Sequence, residues 1–281
     1  MSRGTGEERR WPRVIGVVGG LGPHAHVDFE RRLLAAVPAP SGDQDYPEWV
    51  ISSIPATPDR TEHLLGQGPS PVPLLVRSLE RLAGHADFAV IACITAHAFL
   101  HEVGPQVRLP ILDVVAATLE EAVRRHGERA RIGLLATTGT LRCDLFARTA
   151  RRMAPGLELL SLSDLADGWA LQEELVMAAV YGPLAAGTRL GGGVKSGLDR
   201  DPRTGALHRD TLARAAARLA DAGATAIIAG CTEISLAFGA SPVAGLPLLD
   251  PMQIAARAAI GIARGDLPLP ASPGERSRAA V

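Results

Sequence analysis

Two stretches decide the fold: "VIACITAHAF", residues 90–99, and "IIAGCTEISL", residues 227–236. Each runs apolar into a cysteine and turns polar just past it. A short apolar run of this kind suits a strand buried on both faces. The cysteine then stands where the strand ends. The chain has only three cysteines, so two in matching settings need a reason.

The match spreads outward from the cysteines. "ADFAVIACITAH" aligns with "ATAIIAGCTEIS", and "LPILDVVAATLEEA" downstream of the first aligns with "LPLLDPMQIAARAA" downstream of the second. Upstream, "RVIGVVGGLGP" has a counterpart in "ARIGLLATTGT". Gly16 and Gly133 are 117 apart, Cys93 and Cys231 138, Asp113 and Asp250 137. The offset grows by about 20, so the second copy carries an insertion, and the glycine-rich residues 189–210 are the candidate. Two diverged copies of one unit is the economical reading.

Between the apolar runs lie helical patterns such as "VPLLVRSLERLAGH", "DVVAATLEEAVRRHG" and "HRDTLARAAARLADAG". Alternating strands and helices predict an α/β fold: two pseudo-symmetric domains, each an open parallel sheet flanked by helices. Residues 13–113 with 251–266 form the expected first domain and 114–250 the second. Residues 1–12 and 270–281 read as flexible tails. Ligands on such sheets bind beyond the carboxyl ends of the strands, so the expected active site is the cleft between the domains, with one thiol on each wall.

Composition narrows the function. A chain of 281 residues, 47% hydrophobic, can bury a sizeable core. A net charge of −1 gives no footprint for nucleic acid or an anionic membrane. The odd number of cysteines gives no disulfide framework. The charged N-terminal stretch "MSRGTGEERRWPR" lacks the apolar segment of a signal peptide or membrane span. A cytoplasmic protein with reduced thiols is expected, and a homodimer is left open.

Opposed thiols suit one chemistry well. A thiolate can remove a proton from one face of a carbon while a thiol returns one to the other face, inverting a stereocentre without a cofactor. The two sulfurs then titrate as a coupled pair. Thr95 and Thr232 add hydroxyls beside the cysteines, and His97 and Glu233 are near enough in sequence to poise the sulfurs. Cys143, with no such duplicated setting, reads as a core residue. A zinc site from Cys93, His97 and Cys231 lacks metal-site spacing, so no metal is expected. His24, His26 and His101 read as surface or helix residues.

The loop "GGLGPHA" allows a relaxed dinucleotide fingerprint at Gly20, Gly22 and Ala25. Pro23 fits equally well as the first residue of a helix, and anion binding there by a substrate carboxylate is the preferred reading. Pyridoxal phosphate needs a lysine Schiff base. The only lysine is Lys195, inside the glycine-rich insertion, so no cofactor is expected.

These residues resemble the cofactor-independent aspartate/glutamate racemase family, in particular its aspartate racemase branch. The similarity covers roughly residues 13–265. It is carried by "GVVGGLGP", "TPDRT", "CITAHAF", "LLATTGT", "AGCTEIS" and "LPLLDP". The resemblance implies that Cys93 and Cys231 are the paired base and acid, and that Arg60 of "TPDRT" grips a substrate carboxylate. The fork of a guanidinium suits that task. The remaining candidate substrate-binding residues are Gly20, Ile94, Thr95, Thr137, Thr138, Thr140, Ala185, Thr232 and Glu233, with His97 auxiliary.

Two positions depart from the family pattern. Ile94 stands where an asparagine usually follows the first cysteine. Ala185, in "YGPLAAG", stands where the aspartate enzymes carry a lysine for the side-chain carboxylate. Each loss removes a polar contact, so the expected substrate is a small carboxylate other than free aspartate. Two further readings stay open. The scaffold could serve another reaction in a biosynthetic pathway: decarboxylation, cis–trans isomerisation, or cysteine-dependent acyl transfer or cyclisation. It could also be a non-catalytic ligand-binding homologue.

Overall fold

The computed structural model describes residues 10–239 and 241–271. Two separate parallel sheets organise it. The first has the order β2-β1-β3, formed by β1 (Ile15–Gly19), β2 (Trp49–Ser53) and β3 (Phe88–Ile91). The second has the order β5-β4-β8-β9. It contains β4 (Arg131–Ala136), β5 (Glu158–Leu160), β8 (Ala226–Gly230) and β9 (Leu248–Leu249). Between β5 and β8 the chain adds an antiparallel ribbon of β6 (Leu184–Ala185) and β7 (Thr188–Arg189).

β1, β3 and β8 are buried along their whole length. Their unbroken apolar sequence needs helices on both faces, and receives them. The register pairs Val17 of β1 with Val90 of β3, and Leu135 of β4 with Ala229 of β8. The duplicated runs therefore pair alike in their two sheets, β1 with β3 and β4 with β8.

The closing elements of the two halves also correspond. Asp113 caps the helix Val114–His126 by accepting from the Ala116 N–H, and Asp250 caps Pro251–Arg264 by accepting from Met252 and Gln253. Such caps satisfy N–H groups that the first helical turn leaves unpaired. The helix Pro251–Arg264 packs on Pro23–Ala36 and on Val114–His126. Buried Arg32 secures it by pairing with both Asp28 and Asp250.

The expected tails fall largely on residues 1–9 and 272–281, outside the described residues. Trp11 departs from the expectation of a flexible segment up to residue 12. Its indole N–H donates to the Asp45 carbonyl at 3.0 Å, and its ring packs against the core.

Candidate active site

Strand ends build the site. Cys93 lies two residues beyond β3, and Cys231 follows β8 directly as the N-cap of the helix Thr232–Phe238. Both are buried, and both line a single pocket holding about 240 Å³ of empty space. The first half contributes Arg60, Cys93, Ile94 and Thr95 to its walls, and the second contributes Thr137, Tyr181, Lys195, Cys231, Thr232 and Glu233.

The Cys231 wall is acidic. The Cys231 thiol donates to Glu233 Oε2 at 2.9 Å, and Thr232 donates to the same oxygen at 2.9 Å. Burial pushes the Cys231 thiol well above its ordinary range, and the neighbouring Glu233 charge pushes the same way. Glu233 is itself buried, which opposes its charge. Lys195, 3.7 Å from Oε1, outweighs that burial together with the two hydrogen bonds and holds the carboxyl below its usual value.

The Cys93 wall is basic. Arg60 begins the helix Arg60–Leu64 and is only 4% exposed. Its terminal nitrogens donate to the carbonyls of Leu21 (2.6 Å), Pro58 (2.8 Å) and Thr57 (3.2 Å). Burial works against the guanidinium charge, but contact with Cys93, then Asp59 and Tyr181, keeps its pKa above the ordinary value. Its Nε is buried without a hydrogen-bond partner, leaving one donor direction free.

Four threonine hydroxyls stitch the halves together between these walls. Thr61 donates to Thr137 at 3.0 Å, Thr137 and Thr140 are 3.1 Å apart, and Thr140 and Thr95 2.9 Å. Gly139 permits the approach, because a Cβ there would come within 2.8 Å of the Thr61 Cα. Thr95 and Thr137 line the pocket, whereas Thr140 holds them from behind.

Other expected residues stand elsewhere. His97 is buried, with Nδ1 3.0 Å from the Cys93 carbonyl and 3.2 Å from that of Ile94. Both partners can only accept, so Nδ1 carries the proton, and the ring braces the backbone of the turn. Burial lowers its pKa, so the ring is held neutral. Gly20 packs against Ile54 and Pro55 with φ +79°, and its N–H donates to His26 Nδ1, so its role is to let the chain cross β2. Thr138 presents its N–H to Met177 Sδ at 3.3 Å. Ala185 lies exposed on β6, outside the pocket walls, because the chain turns into the ribbon there. Cys143 is half-buried, with its thiol 3.5 Å from the Thr140 carbonyl.

Sequence reasoning missed three polar residues. Lys195, dismissed as part of a glycine-rich loop, enters the pocket on the short 3₁₀ turn Val194–Ser196. Its Nζ lies 3.4 Å from Asp59 Oδ2 and 4.8 Å from the centre of the Tyr181 ring. Tyr181 donates to Asp59 at 3.2 Å across 122 residues of sequence. Asp59 also caps its own helix, and Lys195 and Arg60 hold it charged against the cost of burial. Tyr181 ends a helix that passes through a π-helical stretch, Gln172–Met177. Such stretches often mark functional sites; a tyrosine at the end of an apolar helix gave no such hint.

Comparison with known proteins follows the same outline. The family described as Asp/Glu/Hydantoin racemase matches residues 18–166 and 169–259. The chain belongs to this family. Among curated relatives, the broad specificity amino-acid racemase RacX of Bacillus subtilis (strain 168) is 26% identical over 115 residues, 38% of this chain and 48% of the relative. The chain thus matches about half the length of that relative. Among solved structures, Picrophilus torridus aspartate racemase superposes with a TM-score of 0.69 at 21% identity, covering 90% of this chain and 94% of that one. The glutamate racemase isoform RacE1 of Bacillus anthracis gives 0.54 at 15% identity, covering 93% and 85%. Both structures share the α/β fold with parallel sheets. Among the described residues, no helix is long and apolar enough to cross a membrane.

Proposed function

We propose that the protein racemises or epimerises a small amino acid at the carbon next to its carboxylate, using Cys93 and Cys231 as the proton-carrying pair. The observation that carries this reading is the opposite polarity around two thiols on one pocket. The Arg60 guanidinium stands beside Cys93, whereas the Glu233 carboxylate accepts the Cys231 thiol proton and favours the protonated thiol there. In the forward step the Cys93 thiolate takes the α-proton: an S–H bond forms, a C–H bond breaks, and the electron pair moves onto the carboxylate. Cys231 then gives its proton to the opposite face of the carbon, becoming the thiolate. The reverse transfers serve the other enantiomer. Arg60, with Nε unpartnered, and the Thr95 and Thr137 hydroxyls are placed to hold the carboxylate as charge develops.

The charges of the pocket also bear on the substrate. Arg60 and Lys195 face Asp59, Glu233 and the Cys93 thiolate of the forward step. Lys195 does bring an ammonium to the pocket, but it is already engaged by those two carboxylates. A zwitterion with a single carboxylate leaves the net charge of this set unchanged, whereas a dicarboxylate adds an uncompensated charge. Ile94, at the pocket wall, offers a second carboxylate no side-chain hydrogen-bond partner. We therefore assign a monocarboxylic amino acid in preference to free aspartate. The test is incubation of single enantiomers of a panel of amino acids in deuterium oxide. Deuterium at the α-carbon with inversion by chiral chromatography supports the reading. Formation of a different product, or no exchange with any member, overturns it.

A further inference from the structure

A second cavity, of about 450 Å³, lies against the other side of the segment that carries Lys195. Its floor is apolar: Val194, Leu198, Leu207 and Leu236. Leu198 is 40% exposed, an apolar side chain presented to an open cleft. Around this floor stand Arg209 and Asp199, opposite in charge and both exposed, with no ion pair to another described residue. An apolar cleft with a few polar groups at its edge is the usual form of a small-molecule site. His208 also faces the cleft, but its buried ring is spent on the Gly192 carbonyl at 2.8 Å.

We infer that this cleft is a second binding site, for a zwitterionic amino acid with an apolar side chain, and that its occupant acts on the thiol pocket through the turn bearing Lys195. Arg209 matches the carboxylate of such a ligand, Asp199 its ammonium, and the leucine floor its side chain. Coupling follows from how the turn is held. Val194 and Gly197 face the cleft, while Lys195 between them reaches the opposite way to Asp59 and Glu233. The turn has little freedom: Gly197 has φ +77°, and a Cβ there would come within 2.5 Å of His24 Nε2. His24 lines the same cleft. A ligand pressing on Val194 or His24 therefore shifts the lysine that stabilises Glu233, and with it the charge beside Cys231.

The binding half of this inference is independent of the reaction performed in the thiol pocket, and the coupling half is read at a thiol, without turnover. Calorimetric titration of the full chain with L-phenylalanine should show a binding event that Arg209→Ala removes, and glycine, lacking the side chain, should show no binding that depends on Arg209. Arg209→Ala and Asp199→Asn, both at exposed positions, should each weaken phenylalanine binding at least about tenfold, whereas the double variant Cys93→Ser, Cys231→Ser should retain it. Saturating phenylalanine should change the rate of iodoacetamide alkylation at Cys231 by at least about threefold, and Arg209→Ala should remove that change. Absence of binding, or binding insensitive to Arg209 and Asp199, overturns the site. Binding that leaves the alkylation rate unchanged overturns the coupling.

Discussion

The two cysteine walls descend from one pattern and now differ at nearly every neighbouring position. One residue past the cysteine stands Ile94 on one wall and Thr232 on the other; two past, Thr95 and Glu233; four past, His97 and Ser235. The backbone placement is kept, with each cysteine just past the carboxyl end of a buried parallel strand. Charge is what diverged. The first wall received a buried arginine from a separate helix, and the second a carboxylate from its own helix with a lysine from the insertion. The matched settings supply similar geometry, and the acid–base pair proposed above needs asymmetric protonation. On that proposal the side chains around the thiols, more than the thiols themselves, meet the need.

The harshest way to break the comparison is to remove either thiol. If the walls are partners, Cys93→Ala and Cys231→Ala should each lower racemisation by about a thousandfold or more, within the range for losing a general acid or base. The measurement is inversion of the preferred enantiomer by chiral chromatography. A variant that keeps near-normal inversion would make the walls independent and end the two-base reading.

A milder change tests polarity alone. Glu233→Gln removes the charge 2.9 Å from the Cys231 sulfur and preserves the shape. With the negative neighbour gone the thiolate is easier to form, so Cys231 alkylation by iodoacetamide at pH 8 should speed up by about tenfold, while Cys93 changes little. The rates are read from the two cysteine peptides by mass spectrometry. Equal rates at Cys231 in variant and wild type would mean that Glu233 does not hold its proton.

The third test compares His97 with Ser235. Burial lowers the His97 pKa, so the folded chain holds the ring neutral where the unfolded chain, near pH 6.5, takes up a proton. Stability from this group is therefore present above about pH 6.5 and lost as pH falls below it. Between pH 7 and 5, wild-type melting temperature should fall, and His97→Gln should show a shallower fall. Ser235 donates to Asp250 at 2.8 Å and carries no charge. Ser235→Ala should cost about 1 kcal/mol by a similar amount at both pH values. Thermal melts at pH 5, 6 and 7 check both, and parallel curves for His97→Gln and wild type would refute the burial argument.

The sheets and the paired cysteines could be read from sequence because buried parallel strands impose long apolar runs, and a duplicated run exposes itself by alignment. Thr95 and Glu233 were also within reach, since each sits just past a strand end, whereas Arg60 stood out only through the resemblance of "TPDRT" to the family. Lys195, Asp59 and Tyr181 were not singled out. Their contact joins a loop, a helix cap and the end of a distant helix, and no periodicity links residues 59, 181 and 195. Glycines around Lys195 suggested an aimless loop, yet the turn is fixed by its packing against His24. Ala185 failed for the converse reason. Matching it to a family lysine assumed that the chain path is kept there, whereas the path turns out into the ribbon of β6 and β7.

That failure sharpens the last test, which has the smallest expected effect. Ile94 and Ala185 were read together as lost contacts to a side-chain carboxylate, but only Ile94 lines the pocket. The two substitutions should therefore behave differently. Ile94→Asn supplies an amide at the position equivalent to Thr232, where the other wall already has a hydroxyl, and gives a second carboxylate a hydrogen-bond donor. Aspartate exchange in deuterium oxide should rise by about three- to tenfold, in line with one neutral hydrogen bond of roughly 1 kcal/mol. Ala185→Lys adds an ammonium to an exposed ribbon, so aspartate exchange should stay at the wild-type level. A larger gain from Ala185→Lys than from Ile94→Asn would mean that the ribbon folds over the pocket when substrate binds, and that recognition is shared between the walls and the insertion.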